Sequence, residues 1–160
     1  MIDLPLDFVI ESIADCCFIR FKDINHAPDA PPHYYFLIPS NDASNSVYIT
    51  SIVTSKFEKR LYYYQNTPNP KATQSLVRLE KGSFSFITKE SAIDCNKAEK
   101  LTKRDLLKRI DNNTGMTIEK RGIESDLKEK IVCAIMNSPL VPPVLKSCLR
   151  NSKDGFTGRS

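Results

Sequence analysis

Residues 33–54 read HYYFLIPSNDASNSVYITSIVT, and this stretch decides the fold. Its first part, His33 to Ile38, is an unbroken aromatic and aliphatic run, which predicts a buried strand. Its last part, Val47 to Thr54, is rich in β-branched residues and is the clearest strand pattern in the chain. The polar residues 39–45 between them predict a turn. We therefore expect these two strands to form an antiparallel hairpin.

Further short strands are predicted on both sides of this hairpin. Cys17 to Lys22 alternates in the way typical of a strand, and the proline-rich segment Ala27–Pro32 is expected to be an extended loop. After the hairpin, Leu61–Tyr64 is expected to be a short extended piece. Additional strands are predicted at Ser75–Leu79, Phe84–Ile87, Ala92–Asp94 and Met116–Lys120.

Helical periodicity is found towards the two ends of the chain. Leu6–Ala14 is amphipathic, Thr102 and Asp105 have the spacing of a capping box, and Ser125 is expected to cap a helix at Asp126–Asn137. These elements predict an α+β, β-rich fold: a curled antiparallel sheet or small antiparallel barrel, with the C-terminal helices packed against one side or one end. Residues 1–150 are expected to form this single domain and residues 151–160 a flexible tail.

Composition indicates a globular protein of the cytoplasm. The hydrophobic fraction is 41% and the charged fraction 26%, which exclude a largely disordered chain. The five cysteines match no metal or redox spacing, so we expect buried, reduced thiols and a reducing compartment. The sequence has neither a signal-peptide pattern nor the about 18–20 apolar residues of a membrane span, so no membrane partner is expected. The net charge of +4 permits a nucleic-acid partner without demanding one.

Self-sufficient catalytic motifs are absent from the sequence. There is no glycine-rich phosphate loop, no HExxH and no GxSxG, and two histidines cannot supply a multi-histidine metal site. We therefore expect no cofactor and no metal. Ser91 and Asp94 could be paired at a site, but the sequence favours a turn role for this group.

Polar side chains flank the two hairpin strands where they should meet. His33 comes directly before the first strand, and Thr54, Ser55 and Lys56 end the second. An imidazole, two hydroxyls and an ammonium at one place could bind or act on a phosphate. The alternative is structural: His33 caps a loop, and the hydroxyls of Thr54 and Ser55 accept from turn amides.

A basic and aromatic segment follows this group. Lys59, Arg60 and Tyr62 lie next to two further tyrosines, and such combinations stack the bases of single-stranded nucleic acids. Three adjacent tyrosines cannot all point the same way on a strand, so at least one is expected in the core or an interface.

The order of strands and loops resembles that of the MazF/PemK-type toxins of toxin-antitoxin systems. The resemblance lies in Pro32–Ile38, Val47–Ser55, Leu76–Gly82 and Ser91–Asp94, within residues 16 to 100. It implies an SH3-like barrel, a homodimer, an antitoxin-like protein partner and metal-independent endoribonuclease activity on single-stranded RNA.

The same resemblance implies roles for individual residues. Thr54 and Ser55 match the Thr-Ser strand end of the family, Lys56 would supply charge, and His33 would move a proton. Arg20 is the candidate for the family's arginine and, with Lys59, Arg60 and Tyr62, for RNA binding. An alternative function is a non-enzymatic binding module on the same barrel, which recognises a protein or nucleic acid in a defence or plasmid-maintenance system. A purely structural or regulatory component is a third hypothesis.

Overall fold

The computed structural model describes residues 4–43 and 45–157, and the side chains of these residues up to 150. Five α-helices are present in this part of the chain: α1 (Leu6–Glu11), α2 (Phe57–Gln65), α3 (Lys103–Arg109), α4 (Ser125–Asn137) and α5 (Pro143–Thr157). The strands are β1 (Cys17–Phe21), β2 (His33–Asp42), β3 (Asn45–Thr54), β4 (Leu76–Leu79), β5 (Ser91–Asp94), β6 (Glu99–Thr102) and β7 (Met116–Lys120). Short 3-10 helices lie at Pro70–Ser75 and Cys95–Lys97.

The seven strands form one antiparallel sheet, in which six follow the order β4-β5-β3-β2-β1-β7 and β6 pairs with β3 beside this row. The outer edge of β3 is divided, because its first half pairs with β6 and its last two residues pair with β5. The described strand pairs do not close the sheet, since β4 and β7 lie at its two ends. The α+β class is therefore confirmed as a helix-flanked antiparallel sheet.

The central hairpin is confirmed and is longer than the sequence predicts. β2 and β3 pair from Tyr35 opposite Ile52 to Asp42 opposite Asn45. The turn predicted at 39–45 is thus shorter, because β2 continues through Pro39. The pairing of β2 with β1 ends at Leu37, so β2 has no strand neighbour on that side at Pro39. A proline is tolerated where its missing N–H faces no strand.

Both faces of the sheet are apolar, and helices cover both. Alternate residues such as Phe18 and Ile19, or Phe36 and Leu37, belong to different core clusters. One cluster includes Ile131 and Ile135 of α4 together with residues of α5, and the other includes residues of α1 and α3. The prediction that helices lie on one side was therefore incomplete, since a sheet with two apolar faces must bury both.

Helix α2 corrects the extended piece predicted at Leu61–Tyr64. Phe57, Leu61 and Tyr64 recur at helical spacing and pack on a small cluster that contains Ala72 and Leu76. This spacing is what an amphipathic helix requires, and it outweighs the strand preference of adjacent tyrosines. The cluster lies on the same face of the sheet as α1 and α3, because Thr54 and Ala92 are opposite each other in the register.

The structure differs from the sequence-based expectation at two further places and agrees with it at a third. The segment Phe84–Ile87 forms turns and no strand, although Phe84 and Phe86 pack against Phe18 with ring centroids 5.0 and 5.3 Å from it. Ser125 is the first residue of α4, and the position before the helix is Glu124, without a side-chain cap. The capping box of Thr102 and Asp105 at the start of α3 is confirmed.

The cysteines are free thiols, and the sequence predicts all of them to be buried. Four are buried and Cys133 is exposed. Burial raises the pKa of Cys16 to about 12 and that of Cys17 to about 11, so these thiols stay protonated at neutral pH. In the described part of the chain, none of the helices has the length and apolar character that crossing a membrane requires.

Candidate functional site

The start of β2 and the end of β3 lie at the same end of the sheet. The strands are antiparallel, and the paired residues end at Tyr35 opposite Ile52. His33 and Thr54 each lie two residues beyond this pair, so strand alternation gives their side chains the same face. Thr54 itself pairs with Ala92 of β5. Within residues 4–43 and 45–150, no hydrogen bond or ion pair joins His33 to Thr54, Ser55 or Lys56.

The Thr54-Ser55-Lys56 segment forms the turn from β3 into α2. The Thr54 hydroxyl accepts a hydrogen bond from the backbone N–H of Lys56 at 3.1 Å, which is the structural role left open above. Ser55 and Lys56 are exposed. Their hydroxyl and ammonium groups are therefore the accessible polar groups of this turn.

The imidazole of His33 lies against that of His26. The ring centroids are 5.0 Å apart and the ring planes meet at 78°. Both Nδ1 atoms are buried and have no hydrogen-bond partner among the described residues. Burial lowers the pKa of His33, and the nearby charges of His26 and Lys22 lower it further. At neutral pH His33 is thus held in its neutral form.

A buried ion pair anchors the loop that carries His26. The Asp23 side chain is 1% exposed and accepts hydrogen bonds from Arg109 Nε at 3.0 Å and Nη2 at 2.5 Å. It also accepts from the backbone N–H of Asn25 at 2.8 Å, and its carbonyl accepts from the N–H of His26 at 3.1 Å. Burial alone would raise the pKa of Asp23, but the Arg109 and Asn25 hydrogen bonds outweigh it and the pKa is lowered.

Two further groups complete this neighbourhood. Lys22 is only 7% exposed, and its ammonium donates to the carbonyl of Ala27 at 2.5 Å. Arg109 also binds Glu99 at 2.8 Å, so its guanidinium is held by two carboxylates and is not free to bind a substrate. The pKa of Arg109 is raised, first by Asp23 and then by Glu99.

Sequence reasoning missed this group around His33. Lys22, Asp23 and His26 precede the proline-rich loop, and Arg109 is 86 residues from Asp23. The available signal was that both histidines of the chain flank a loop with three prolines. Such a loop returns the chain towards its start, which brings His26 and His33 together.

Arg20 lies on the other face of the sheet from His33. It is opposite Tyr34 in the register of β1 and β2, whereas His33 is opposite Phe21. Its guanidinium is 5.7 Å from the centre of the Tyr34 ring, and Tyr34 stacks on Phe86 at 4.8 Å. The structure therefore separates Arg20 from the other predicted site residues.

Helix α2 divides the predicted RNA-binding residues into two groups. Lys59 and Tyr62 are exposed, with Tyr62 70% accessible, and Tyr63 is 58% accessible beside them. Residues spaced by three and four positions share one helix face, so Lys59, Tyr62 and Tyr63 form a surface that we name the α2 tyrosine face. Arg60 instead points inward, with Nε 3.6 Å from buried Asp94.

The polar groups around Asp94 hold the structure together. The Tyr64 hydroxyl donates to Asp94 at 2.8 Å, and the amide of Asn96 donates to Asp94 at 3.2 Å and to the carbonyl of Ala72 at 2.8 Å. Burial raises the pKa of Tyr64, and its bond to Asp94 raises it further. The Ser91 hydroxyl donates to the carbonyl of Lys89 at 2.9 Å, so it has a turn role and is not paired with Asp94.

An open cleft of about 380 Å³ lies between the edge strand β4 and α4. Its lining residues are Gln74, Leu76, Val77, Arg78, Lys130, Cys133, Ala134 and Asn137. Arg78 forms an ion pair with Glu90 and lies 5.7 Å from the Phe57 ring centre. Across the described residues, no three of the histidines, cysteines and carboxylates are grouped so as to hold a metal ion.

Comparison with known proteins gives no assignment. No model of a protein family matches this chain, and no curated protein is similar to it. Its function is therefore inferred from its own residues.

Proposed function

We propose that this protein binds single-stranded RNA and cleaves it as a MazF/PemK-like endoribonuclease. The observation that carries the proposal is the common position of His33 and the Thr54-Ser55-Lys56 turn, at one end and on one face of the sheet. A neutral imidazole and an exposed hydroxyl and ammonium are the groups that phosphodiester cleavage by a ribose 2′-hydroxyl needs. The resemblance in the order of strands supports the same function.

The reaction assigns a distinct task to each group. His33 takes the proton of the 2′-hydroxyl while the O2′–P bond forms and the P–O5′ bond breaks, and a second acid gives a proton to the leaving 5′-oxygen. The lowered pKa of His33 suits this task, because the ring is neutral and can accept a proton at neutral pH. Lys56 stabilises the negative charge that builds up on the phosphate, and the Ser55 hydroxyl donates to a phosphate oxygen.

RNA has a second contact surface close to this turn. Helix α2 begins at Phe57, directly after Lys56, and the α2 tyrosine face is exposed on it. Stacking of a base on an exposed aromatic ring contributes about 1–3 kcal/mol, with little dependence on sequence. A strand of RNA bound at the turn can thus place neighbouring bases on Tyr62 and Tyr63 while Lys59 binds its backbone.

The proposal includes the remaining properties of such a toxin. These are an SH3-like barrel, a homodimer in the cytoplasm and an antitoxin-like protein partner. The antiparallel strands support the barrel alone, because barrels of this kind are built from antiparallel strands, and the other properties rest on the resemblance.

The test is incubation of the purified protein with single-stranded RNAs of several sequences in EDTA. Wild-type protein should cut RNA and leave a 2′,3′-cyclic phosphate. His33→Ala should lower the rate by about 10²–10⁴-fold, the usual contribution of a general acid or base. Lys56→Ala should lower it less. The exposed Thr88 serves as a matched control, because Thr88→Val should leave the rate unchanged. Intact RNA at high protein concentration would rule out the enzyme.

The alternative function is a module that binds RNA without cutting it. Two observations favour it: the Thr54 hydroxyl is engaged in the turn, and Arg60 is held by Asp94. In that case RNA is retained and stays intact. Binding should then weaken in Tyr62→Ala and be unaffected by His33→Ala.

A further inference from the structure

We propose that His26 and His33 act together as the acid–base pair that supplies both proton transfers of RNA cleavage. This inference rests on the proposed function for its substrate, a phosphodiester next to a ribose 2′-hydroxyl. The sequence assigns His33 alone; the structure adds His26 as its partner.

The first observation is a set of polar atoms without partners. In the described residues, the buried side-chain nitrogens and oxygens that lack a hydrogen-bond partner are His26 Nδ1, His33 Nδ1 and Tyr35 Oη. Buried polar groups in native proteins are almost always paired, and a catalytic role is one of the explanations for an exception. Tyr35 shares its strand face with His33, so the three atoms belong to one end of the β1–β2 pair.

The second observation is direct contact between the rings. At 5.0 Å between centroids, a charge on one imidazole disfavours a charge on the other. Two protons on the pair are therefore unfavourable, and its two ionisations are coupled.

The surrounding charges keep this arrangement in place. Lys22 and Asp23 face the pair from the end of β1, and Arg109 of α3 and Glu99 of β6 lie behind Asp23. Asp23 is near enough to His26 for a positive charge on that ring to lower the pKa of the carboxyl. Lys22 and burial act against a proton on His33. We therefore assign the role of base to His33, whose pKa is lowered, and the role of acid to His26.

With this assignment the protons of the reaction balance. His33 receives the proton of the 2′-hydroxyl as the O2′–P bond forms, and His26 gives its proton to the 5′-oxygen as the P–O5′ bond breaks. The pair begins and ends with one proton, but on the other ring. Proton exchange with solvent restores the starting state.

The closing experiment follows the imidazole signals of the full-length, ¹³C-histidine-labelled protein by NMR as a function of pH. The chain has two histidines, so His26→Asn and His33→Asn assign both signals. His33 should titrate at higher pH in His26→Asn than in the wild type. The shift expected at 5.0 Å is about 0.6 pKa unit in bulk water, and it grows with burial. The exposed neighbour Asn25 gives the control, since Asn25→Ala should leave both titrations unchanged.

Two outcomes would refute the proposed catalytic pair without refuting the proposed endoribonuclease activity. One is an unchanged titration of His33 in a folded His26→Asn protein, with His26→Gln replacing it if that variant does not fold. The other is cleavage of RNA by His26→Asn at the wild-type rate with an unaltered pH profile. The pair predicts loss of the alkaline limb of that profile and a rate lower by about 10²–10⁴-fold. Coupled titration in a wild-type protein that cuts no RNA would remove the proposed function and, with it, the catalytic role of the pair.

Discussion

Arg109→Ala should lower the free energy of unfolding by about 3–4 kcal/mol at pH 7, because it leaves a buried carboxylate without its partner. Asp23 is 1% exposed and Arg109 22% exposed, and three of their nitrogen–oxygen distances are between 2.5 and 3.1 Å. Removal of one partner from a buried pair costs about 3–5 kcal/mol. The partial exposure of Arg109 favours the lower half of that range.

Protonation of Asp23 limits this loss. The unpaired carboxyl can become neutral at a cost of about 1.4 kcal/mol for each pH unit above its ordinary pKa of about 3.9. The loss of unfolding free energy in Arg109→Ala is therefore at most about 4 kcal/mol at pH 7 and about 1.5 kcal/mol at pH 5. In the wild type the pKa of Asp23 is lowered, so the stability contributed by the pair is present above the unfolded pKa and is lost as pH falls through the folded value.

Urea unfolding at pH 7 and pH 5 tests both parts of this prediction. Lys103→Ala is the control, because Lys103 and Glu11 form an exposed pair whose loss should cost about 0–1 kcal/mol at either pH. Arg109→Lys keeps the positive charge without the bidentate geometry. Its loss of unfolding free energy should lie between those of Arg109→Ala and Lys103→Ala. A loss below about 1 kcal/mol for Arg109→Ala at pH 7, or an equal loss at both pH values, would refute the reasoning.

Three further predictions concern other parts of the molecule. Tyr64→Phe removes a donor from buried Asp94 and should cost about 1.5–3 kcal/mol in urea unfolding, whereas the exposed Tyr63→Phe should cost nothing measurable. The lowered pKa of His33 means that stability present above the unfolded value of about 6.5 is lost as pH falls below it, so His33→Asn should flatten the stability profile between pH 7 and 5; an unchanged slope would contradict this. Ala43 has φ of 57°, and Ala43→Gly should raise the thermal midpoint by relieving about 1 kcal/mol of strain; a lower midpoint would disprove it.

Local patterns predicted the fold best where neighbouring residues determine the conformation. The β-branched run of β3 and the Thr102 capping box are of this kind, and both are confirmed. The extended piece predicted at Leu61–Tyr64 was wrong, because tyrosines favour strands in isolation. Packing on Ala72 and Leu76, which lie outside this segment, stabilises helix α2 instead. The course of the sheet edges depends on which strands pair, and no local pattern contains that information.

The candidate site was predictable only in part, for the same reason. Strand order was enough to bring His33 and the Thr54-Ser55-Lys56 turn to one end of the sheet. The contact between His26 and His33 depends on the loop that joins β1 to β2, and the anchor of that loop is Arg109, far away in the sequence. Arg20 was the candidate for the family's arginine on the basis of the resemblance, and the sequence alone did not reveal that Arg20 and His33 occupy opposite faces of the sheet.

The apolar character of both faces of β2 and β3 has a consequence for how the hairpin finds its alignment. In a sheet with one solvent-exposed face, a register shift of one residue exposes the apolar side chains of the core and is strongly disfavoured. In this protein a hairpin that slipped by one residue would still bury apolar side chains on both faces of the sheet, because Phe36 and Leu37 would exchange faces. Discrimination then falls to shape and to the tight bend at Ala43, so misaligned hairpins should persist during refolding and delay it.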